Sequence, residues 1–255
     1  MRKIFNWFLI LYVLLFSSLS SFSQSRKSYP NHFGFQFRPL IPIGVVGDRP
    51  FDINKEGFST TVTSRFGYSY GGVVRVGITN LMAIETGINY IKRSYRLDFS
   101  VPDSNLVGQN NVGMVNYDIP LNLLVYIKLS NTWFMNASMG GSLNFYPSNV
   151  RTLINPYSQH LFIFEGRRFA FFSNDINANI GFEYRSENAG IFYIGMSGKL
   201  PIQPIYWIAS EYRFDTQRTV GFDQIDGATV SLDFKYFIPQ TQKRGVQFKP
   251  GPIEQ

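Results

Sequence analysis

The chain has 255 residues with 24 Lys and Arg, 17 Asp and Glu and no Cys, and its formal net charge is +7. The absence of cysteine excludes a disulfide scaffold, a thiolate zinc site and a cysteine nucleophile. Aromatic residues make up 17% of the chain and charged residues 16%, against about 25% charged residues in ordinary soluble domains. The mean hydropathy of -0.07 excludes a bundle of apolar spanning helices. This composition is typical of a sheet with one apolar and one polar face.

The first segment has the layout of an export signal. Arg2 and Lys3 precede a run over residues 4–16 that is apolar except for Asn6, and small and polar residues follow over 17–24. The apolar run is too short for a helix that crosses a bilayer, which needs about 20 residues. We therefore predict a cleavable secretory signal over residues 1–24.

Eight segments after the signal alternate apolar and polar residues with a period of two, the pattern of half-buried strands. In the fourth segment, Leu121, Leu123 and Val125 alternate with Asn122 and its polar neighbours. The apolar faces carry Phe, Tyr, Trp and Met to the strand ends, and the polar faces are rich in Asn, Ser and Gly. The eight predicted strands cover residues 32–41, 65–79, 82–94, 114–129, 133–145, 170–184, 191–200 and 228–238.

Short and long connectors alternate strictly between these segments. Connectors 79–81, 130–132 and 185–190 are short, whereas 42–64, 100–113, 146–169 and 201–227 are long. Outer-membrane barrels have short periplasmic turns and long external loops. We therefore predict an all-β fold: an eight-stranded, antiparallel, up-and-down transmembrane β-barrel over residues 25–239, with the long loops extracellular. A secreted sandwich or a lipocalin-like barrel is the soluble alternative. Residues 240–255, which are polar and contain two prolines, are predicted to be a flexible periplasmic tail.

One part of the chain resembles a known family. The stretches GGVVRVGITNLMAIETGINYIKR, NYDIPLNLLVYIKL and FMNASMGGSLNFY lie between Tyr70 and Tyr146. They resemble the PorT-like family of outer-membrane β-barrels that is widespread in Bacteroidota, and the signal ending SFSQ fits it too. The resemblance implies a barrel in the bacterial outer membrane and suggests a link to type IX secretion.

Charged residues recur on the polar faces of the predicted strands. An eight-stranded barrel has an interior just wide enough to be filled by side chains, and buried charges must be paired. We therefore predict a structural polar network in the lumen, with an ion path or a gate as the alternative. The network residues are Arg38, Arg75, Glu85, Arg93, Asp118, Lys128, Asp175, Glu183, Lys199, Asp233 and Lys235.

The sequence offers little for catalysis. Ser158, His160 and Glu165 lie together in the third long connector, and such a set could serve a small lipid-modifying barrel enzyme. That spacing arises often by chance, and no phosphate-binding glycine loop or metal-ligand cluster is present. We therefore predict no catalytic residues, no cofactor and no metal. The pairs Gly71-Gly72 and Gly140-Gly141 lie within predicted strands and are interpreted as sites of sheet bending or close interior packing rather than of ligand binding.

The basic excess favours an anionic surface rather than nucleic acid, because an exported barrel does not meet nucleic acid. Six arginines on the outer side are candidates for contact with lipopolysaccharide phosphates: Arg96, Arg151, Arg167, Arg168, Arg213 and Arg218. Solvation of loops is the alternative reading. The sequence thus predicts a non-enzymatic structural or accessory component of a surface or secretion assembly, partnered by outer-membrane lipid and by another outer-membrane or periplasmic protein. A lipid-modifying enzyme and a narrow channel are the alternatives.

Overall fold

The described part of the chain folds into a closed ring of eight strands with five shorter strands at one end. The computed structural model describes residues 31–41, 51–55, 57–157, 159–186 and 188–239. The ring confirms the predicted eight-stranded barrel. Its strands are β1 (Asn31–Ile41), β3 (Phe58–Gly77), β4 (Met82–Val101), β5 (Leu106–Lys128), β6 (Trp133–Phe145), β9 (Phe172–Ser186), β10 (Gly190–Pro201) and β13 (Thr229–Phe237). The shorter strands are β2 (Phe51–Lys55), β7 (Val150–Tyr157), β8 (His160–Arg168), β11 (Tyr206–Phe214) and β12 (Gln217–Ile225).

All pairings around the ring are antiparallel, and the first strand closes it. Strand β1 pairs with β13 through Phe37 and Phe234, and with β3 through Phe37 and Tyr70. The remaining ring strands follow one another in chain order. A closed ring leaves no unpaired sheet edge, which is the condition for strands to cross a bilayer.

The outer wall of the ring is apolar, as the alternating pattern predicts. Residues on one side of each strand are exposed and hydrophobic, whereas the alternate residues point inward and are buried. On β1, for example, Phe35 and Phe37 are exposed while Gln36 and Arg38 are buried. An exposed apolar wall around a polar interior is the arrangement of a lipid-facing barrel.

Two rows of aromatic side chains mark the edges of this wall. One row, which we call the outer row, lies toward the end of the barrel with the long connectors. It runs through directly paired residues on five adjacent strands: Tyr70, Tyr90, Tyr117, Phe145 and Phe172. The other row, which we call the inner row, lies toward the end with the short turns. It runs through the paired residues Trp133, Tyr184, Phe192, Tyr236 and Phe35. Strand β6 spans the two rows with 13 residues. At about 3.3 Å per residue and a tilt of about 40°, that length covers roughly 30 Å, the thickness of a hydrocarbon core.

Beyond the outer row the strands build a second structure, which we call the cap. One sheet of the cap consists of β2 and the outer parts of β3, β4 and β5, and the other has the order β12-β11-β8-β7. The two sheets face each other across stacked rings, with Phe58 5.9 Å from Phe162 and 5.7 Å from Tyr212 between ring centroids. Thr60 and Ser210 share a hydrogen bond of 2.6 Å between the sheets. The cap therefore has a hydrophobic core of its own.

The inward face changes from polar to apolar where the strands leave the barrel. Along β4 the buried polar residues are Glu85, Asn89 and Arg93, with Ile91 between the last two, and beyond Arg93 the buried residues are apolar, beginning with Tyr95 and Leu97. In β3 the change of environment coincides with an irregularity in the pairing between Arg65 and Tyr68. There the buried positions shift from Phe58, Thr60 and Val62 to Gly67 and Ser69. The same strands thus line the polar interior of the ring and, beyond the outer row, the apolar core of the cap.

All four predicted long loops differ from the structure, because strand covers residues 51–55 and 58–64 of the connector 42–64 and much of 100–113, 146–169 and 201–227. The alternation of β3 is interrupted by its irregularity, and residues 106–113 contain few apolar side chains, so the period-two signal ends before the strands do. The predicted signal over 1–24, the predicted tail over 240–255 and residues 42–50 lie outside the described residues.

No helix within the described ranges is long and apolar enough to cross a bilayer.

Candidate functional site

The barrel interior near the short turns, which we call its lower part, contains a cluster of paired charges. Arg75 lies 2.8 Å from Glu85 and 2.6 Å from Glu183 between the guanidinium nitrogens and the carboxylate oxygens. Lys235 forms a second ion pair with Glu85, and Asn136 donates a hydrogen bond of 3.3 Å to Glu183. All five side chains are buried. Each carboxylate therefore has cationic partners within the barrel, as buried charges require.

Aromatic side chains surround this cluster at the end with the short turns. The Arg75 guanidinium lies 4.1 Å from the ring centre of Phe237, and Arg185 lies 4.0 Å from that of Phe134. Phe237 packs with Val73 and Ile191, and Phe134 packs against a second small cluster: Ala83, Leu124 and Tyr126. These groups form an apolar layer below the charges, in which cation–π contacts supplement the ion pairs.

The middle of the barrel is organised around Asp118. Its carboxylate lies 2.5 Å from Lys199 Nζ and 3.6 Å from an Arg38 guanidinium nitrogen. Asn89 donates a hydrogen bond of 3.0 Å to Asp118 and in turn accepts one from Gln36. These side chains come from four strands, so the network links strands that are distant in sequence.

A second carboxylate at this level has a different environment. Asp233 accepts hydrogen bonds of 2.8 Å from Ser197, 3.0 Å from Ser231 and 2.7 Å from Asn179. Tyr193 donates a hydrogen bond of 2.6 Å to Asn179. Neutral donors therefore supply the hydrogen bonds to this carboxylate, and buried polar groups in folded proteins are nearly always hydrogen-bonded.

The upper part of the barrel lies directly below the cap. Arg93 donates a hydrogen bond of 2.5 Å to Asn116, and Asn116 donates one of 2.8 Å to Asn144. Asp175 is buried at this end, opposite Ser142 in the pairing of β6 and β9. The polar filling thus continues to the base of the apolar cap core.

The structure places ten of the eleven predicted network residues on the buried inner face. Lys128 is the exception, because it is the last residue of β5 and is exposed at the barrel rim. The ten buried residues are Arg38, Arg75, Glu85, Arg93, Asp118, Asp175, Glu183, Lys199, Asp233 and Lys235.

Sequence reasoning missed the neutral members of the network and Arg185. Asn89, Asn116, Asn144 and Asn179 lie on the same polar faces, but only the fold shows that they link charges. Arg185 follows Glu183 by two residues and forms an ion pair with it of 2.7 Å. The period-two pattern that identified Glu183 would also have identified Arg185, since both lie on one face of β9.

Two glycines on the inner face allow close packing. A Cβ at Gly71 would overlap the carbonyl oxygen of Ile88 and lie 2.8 Å from Asn89 Cα. A Cβ at Gly140 would lie 2.7 Å from Asn122 Cα. At these two positions the backbone of the neighbouring strand occupies the space a side chain would need, which agrees with their interpretation as packing positions. Gly72 differs, because a Cβ there would meet nothing within 4 Å, and a Cβ at Gly141 would lie 3.3 Å from the carbonyl oxygen of Asp175.

The outer arginines all lie in the cap, and most have a protein partner. Arg96 pairs with Asp98 at 2.9 Å and Arg167 with Glu165 at 2.8 Å. Arg213 and Arg218 both pair with Glu211. Arg168 donates a hydrogen bond of 2.6 Å to the carbonyl oxygen of Pro147, and Arg151 is exposed on β7.

Two of the three residues considered for lipid-modifying chemistry, His160 and Glu165, are described by the structure, and they lie apart. The His160 ring nitrogen Nδ1 lies 2.7 Å from the Tyr212 hydroxyl, and the imidazole stacks on Phe214. Glu165 is an odd number of residues away on the same strand, so it faces the other side of the sheet, where it pairs with Arg167. Ser158 lies outside the described residues.

Comparison with known proteins gives a family match and distant structural similarities. The sequence model of the outer membrane protein beta-barrel domain matches residues 22–199. No curated protein matches the chain. The solved structure of OprG from Pseudomonas aeruginosa is 11% identical, with a TM-score of 0.46 over 85% of this chain and 99% of that one. An outer membrane channel from Pseudomonas putida F1 is 8% identical, with a TM-score of 0.21 over 86% of this chain and 98% of that one.

The closed ring, its apolar outer wall and its polar interior agree with the family match, which covers more than half of the chain. Membership also implies the outer membrane as the location. This chain belongs to the outer-membrane β-barrel protein family.

Proposed function

We propose that the protein is a non-enzymatic structural or accessory component of a surface or secretion assembly, in which the barrel anchors the cap outside the cell. The resemblance to PorT-like barrels of Bacteroidota suggests a type IX secretion assembly as the setting. In this proposal the barrel is closed to solutes, and the cap is the part that meets a partner.

The continuous filling of the barrel axis is the observation that carries this proposal. An apolar layer lies at the short-turn end, ion pairs and amides fill the middle, and the apolar cap core covers the outer end. A narrow channel needs a polar path through all three levels. The cap core of Leu97, Phe99, Phe162 and Phe164, all buried, supports a closed outer end instead.

The cap also supports a role in presentation rather than in transport. Its two sheets are joined by packed rings and by hydrogen bonds such as that of 2.5 Å from Asn110 to Thr152. A packed structure of this kind holds its outer surface in a fixed shape, which lowers the entropic cost of binding a partner.

Conductance across a planar bilayer tests the closed barrel. We expect the purified wild-type protein to insert without stable, persistent channels, whereas a general porin in the same bilayer conducts. Large channels that persist in the wild type would contradict the filled lumen and favour the channel alternative.

Co-purification tests the assembly role. The tagged wild-type protein, extracted from outer membranes in mild detergent, should migrate as a complex larger than its own mass, with defined partners that survive washing. A wild-type protein that always runs alone, including after crosslinking in cells, would contradict the proposal.

A further inference from the structure

The outward face of the cap sheet carries a groove of about 580 Å³. Strands β8, β11 and β12 line it, on the side opposite the cap core. Cavities of this size are within the range of small-ligand sites. The groove lies at the base of the cap, since β11 begins shortly after the barrel strand β10 ends.

Two exposed aromatic side chains form the walls of the groove. Trp207 is 50% exposed and Phe222 is 75% exposed. Ala209 lies between them as a small floor, because it is paired with Phe222 and follows Trp207 by two residues on the same face. The ring of Phe169 lies 5.8 Å from that of Trp207 and supports it. Large aromatic surfaces left exposed in a packed structure mark interaction sites.

The charged residues of the groove balance one another. Glu165 pairs with Arg167 at 2.8 Å, and Glu211 pairs with Arg218 at 2.7 Å. Although its partial burial acts in the opposite sense, hydrogen bonds from Arg218 and Arg213 hold the pKa of Glu211 below its usual range. Two carboxylates and two guanidinium groups thus lie paired and oriented beside the aromatic walls.

This combination distinguishes between classes of ligand. A lining with equal positive and negative charge offers no net attraction to a polyanion such as a lipid phosphate cluster. A concave groove suits a small ligand better than the flat face of a protein. Sugars have an apolar C–H face that stacks on aromatic rings and a rim of hydroxyls that hydrogen-bond to carboxylate and guanidinium groups.

We propose that this groove binds uncharged sugars of lipopolysaccharide, the glycolipid of the outer leaflet whose sugar chains surround the cap. One sugar ring stacks between Trp207 and Phe222 above Ala209. Its hydroxyls donate hydrogen bonds to Glu165 and Glu211 and accept them from the arginines. The site is independent of whether the protein serves a secretion assembly.

Binding of a lipid-free oligosaccharide tests this proposal. The probe is the sugar chain released by mild acid from lipopolysaccharide of the producing bacterium, titrated by calorimetry into the full-length protein in detergent. We expect saturable binding by the wild type and at least a tenfold loss of affinity for Trp207→Ala and Phe222→Ala. Trp133→Ala is the matched control, because Trp133 is 47% exposed but lies in the inner aromatic row. It should bind like the wild type.

A filled groove provides a second test that spares both aromatic walls. Ala209→Phe adds a ring on the outward face, and it should reduce affinity as strongly as Trp207→Ala does. Heat-dependent gel migration verifies that each variant is folded. Wild-type affinity in folded Trp207→Ala or Ala209→Phe overturns the proposal. So does a wild type that binds no oligosaccharide, including one that binds only lipid A vesicles or only a protein at this face.

Discussion

At the scale of single residues, the barrel interior holds charges that only their partners make tolerable. An ionised carboxylate removed from water is costly unless cations and hydrogen bonds replace the lost hydration. Asp118 meets this condition through Lys199, Arg38 and Asn89. Removing one member of such a group leaves the others buried with unbalanced charge, so the network should be sensitive to single changes.

The exchange of Asp118 for alanine tests this sensitivity. We expect Asp118→Ala to lower the free energy of unfolding by about 3–5 kcal/mol, because Lys199 loses its ion-pair partner in the interior. The measurement is the urea midpoint of the folded band on gels of detergent-solubilised protein. Asp98→Ala is the control, since its pair with Arg96 lies on the cap surface and is worth about 0–1 kcal/mol. Equal midpoints for the two variants would contradict the buried pairing of Asp118.

At the scale of elements, the outward face of a single strand passes from the lipid-facing wall to the surface of the cap. The outward side chains of β5 include Leu121, Leu123 and Val125 between the aromatic rows, and Val107 in the cap. The first three face the apolar wall that we assign to lipid, whereas Val107 belongs to the part beyond the outer row. The same substitution on one face of one strand should therefore have different consequences at the two levels.

An arginine scan along β5 measures this difference. Leu123, 44% exposed, points outward, and an arginine near the bilayer midplane of a barrel costs about 2–4 kcal/mol. Val107→Arg, at a site that is 72% exposed, should change stability by no more than about 0.5 kcal/mol. Equilibrium folding into lipid vesicles gives both values. If both variants folded like the wild type, the apolar wall would not face lipid.

At the scale of the whole molecule, the filled barrel and the cap form one column with its ends on opposite sides of the membrane. The short turns lie at the end with the inner aromatic row, and all strands of the cap lie beyond the outer row. The orientation of this column decides which end meets extracellular partners. The family match implies the outer membrane, and the long connectors predict that the cap is outside.

Because the chain contains no cysteine, one introduced cysteine is a specific label. Cysteines at Ser104 or Thr216, in exposed turns of the cap, should react with a membrane-impermeant maleimide on intact cells. Cysteines at Asn80 or Asn188, in exposed short turns, should react only after the outer membrane is permeabilised. Labelling of Asn80 on intact cells, without labelling of Ser104, would reverse the orientation.

The sequence by itself determined the barrel, because that information is local. Alternation with a period of two identifies the two faces of each strand, and the lengths of the connectors order the strands. The same alternation placed ten of the eleven proposed network residues on the inner face. Lys128 follows the pattern but lies at the end of its strand, and a local pattern does not show where the enclosed interior stops.

The tertiary structure alone decided the cap and the partners within the network. The cap strands are stabilised by contacts between distant segments, such as Phe58 with Phe162 and Thr60 with Ser210, so their sequences lack a strong local signal. The pairing of Lys199 with Asp118 likewise depends on the closure and tilt of the ring. Closure is a global condition on all eight strands, and a period read along one strand contains no information about which charge it brings across the barrel.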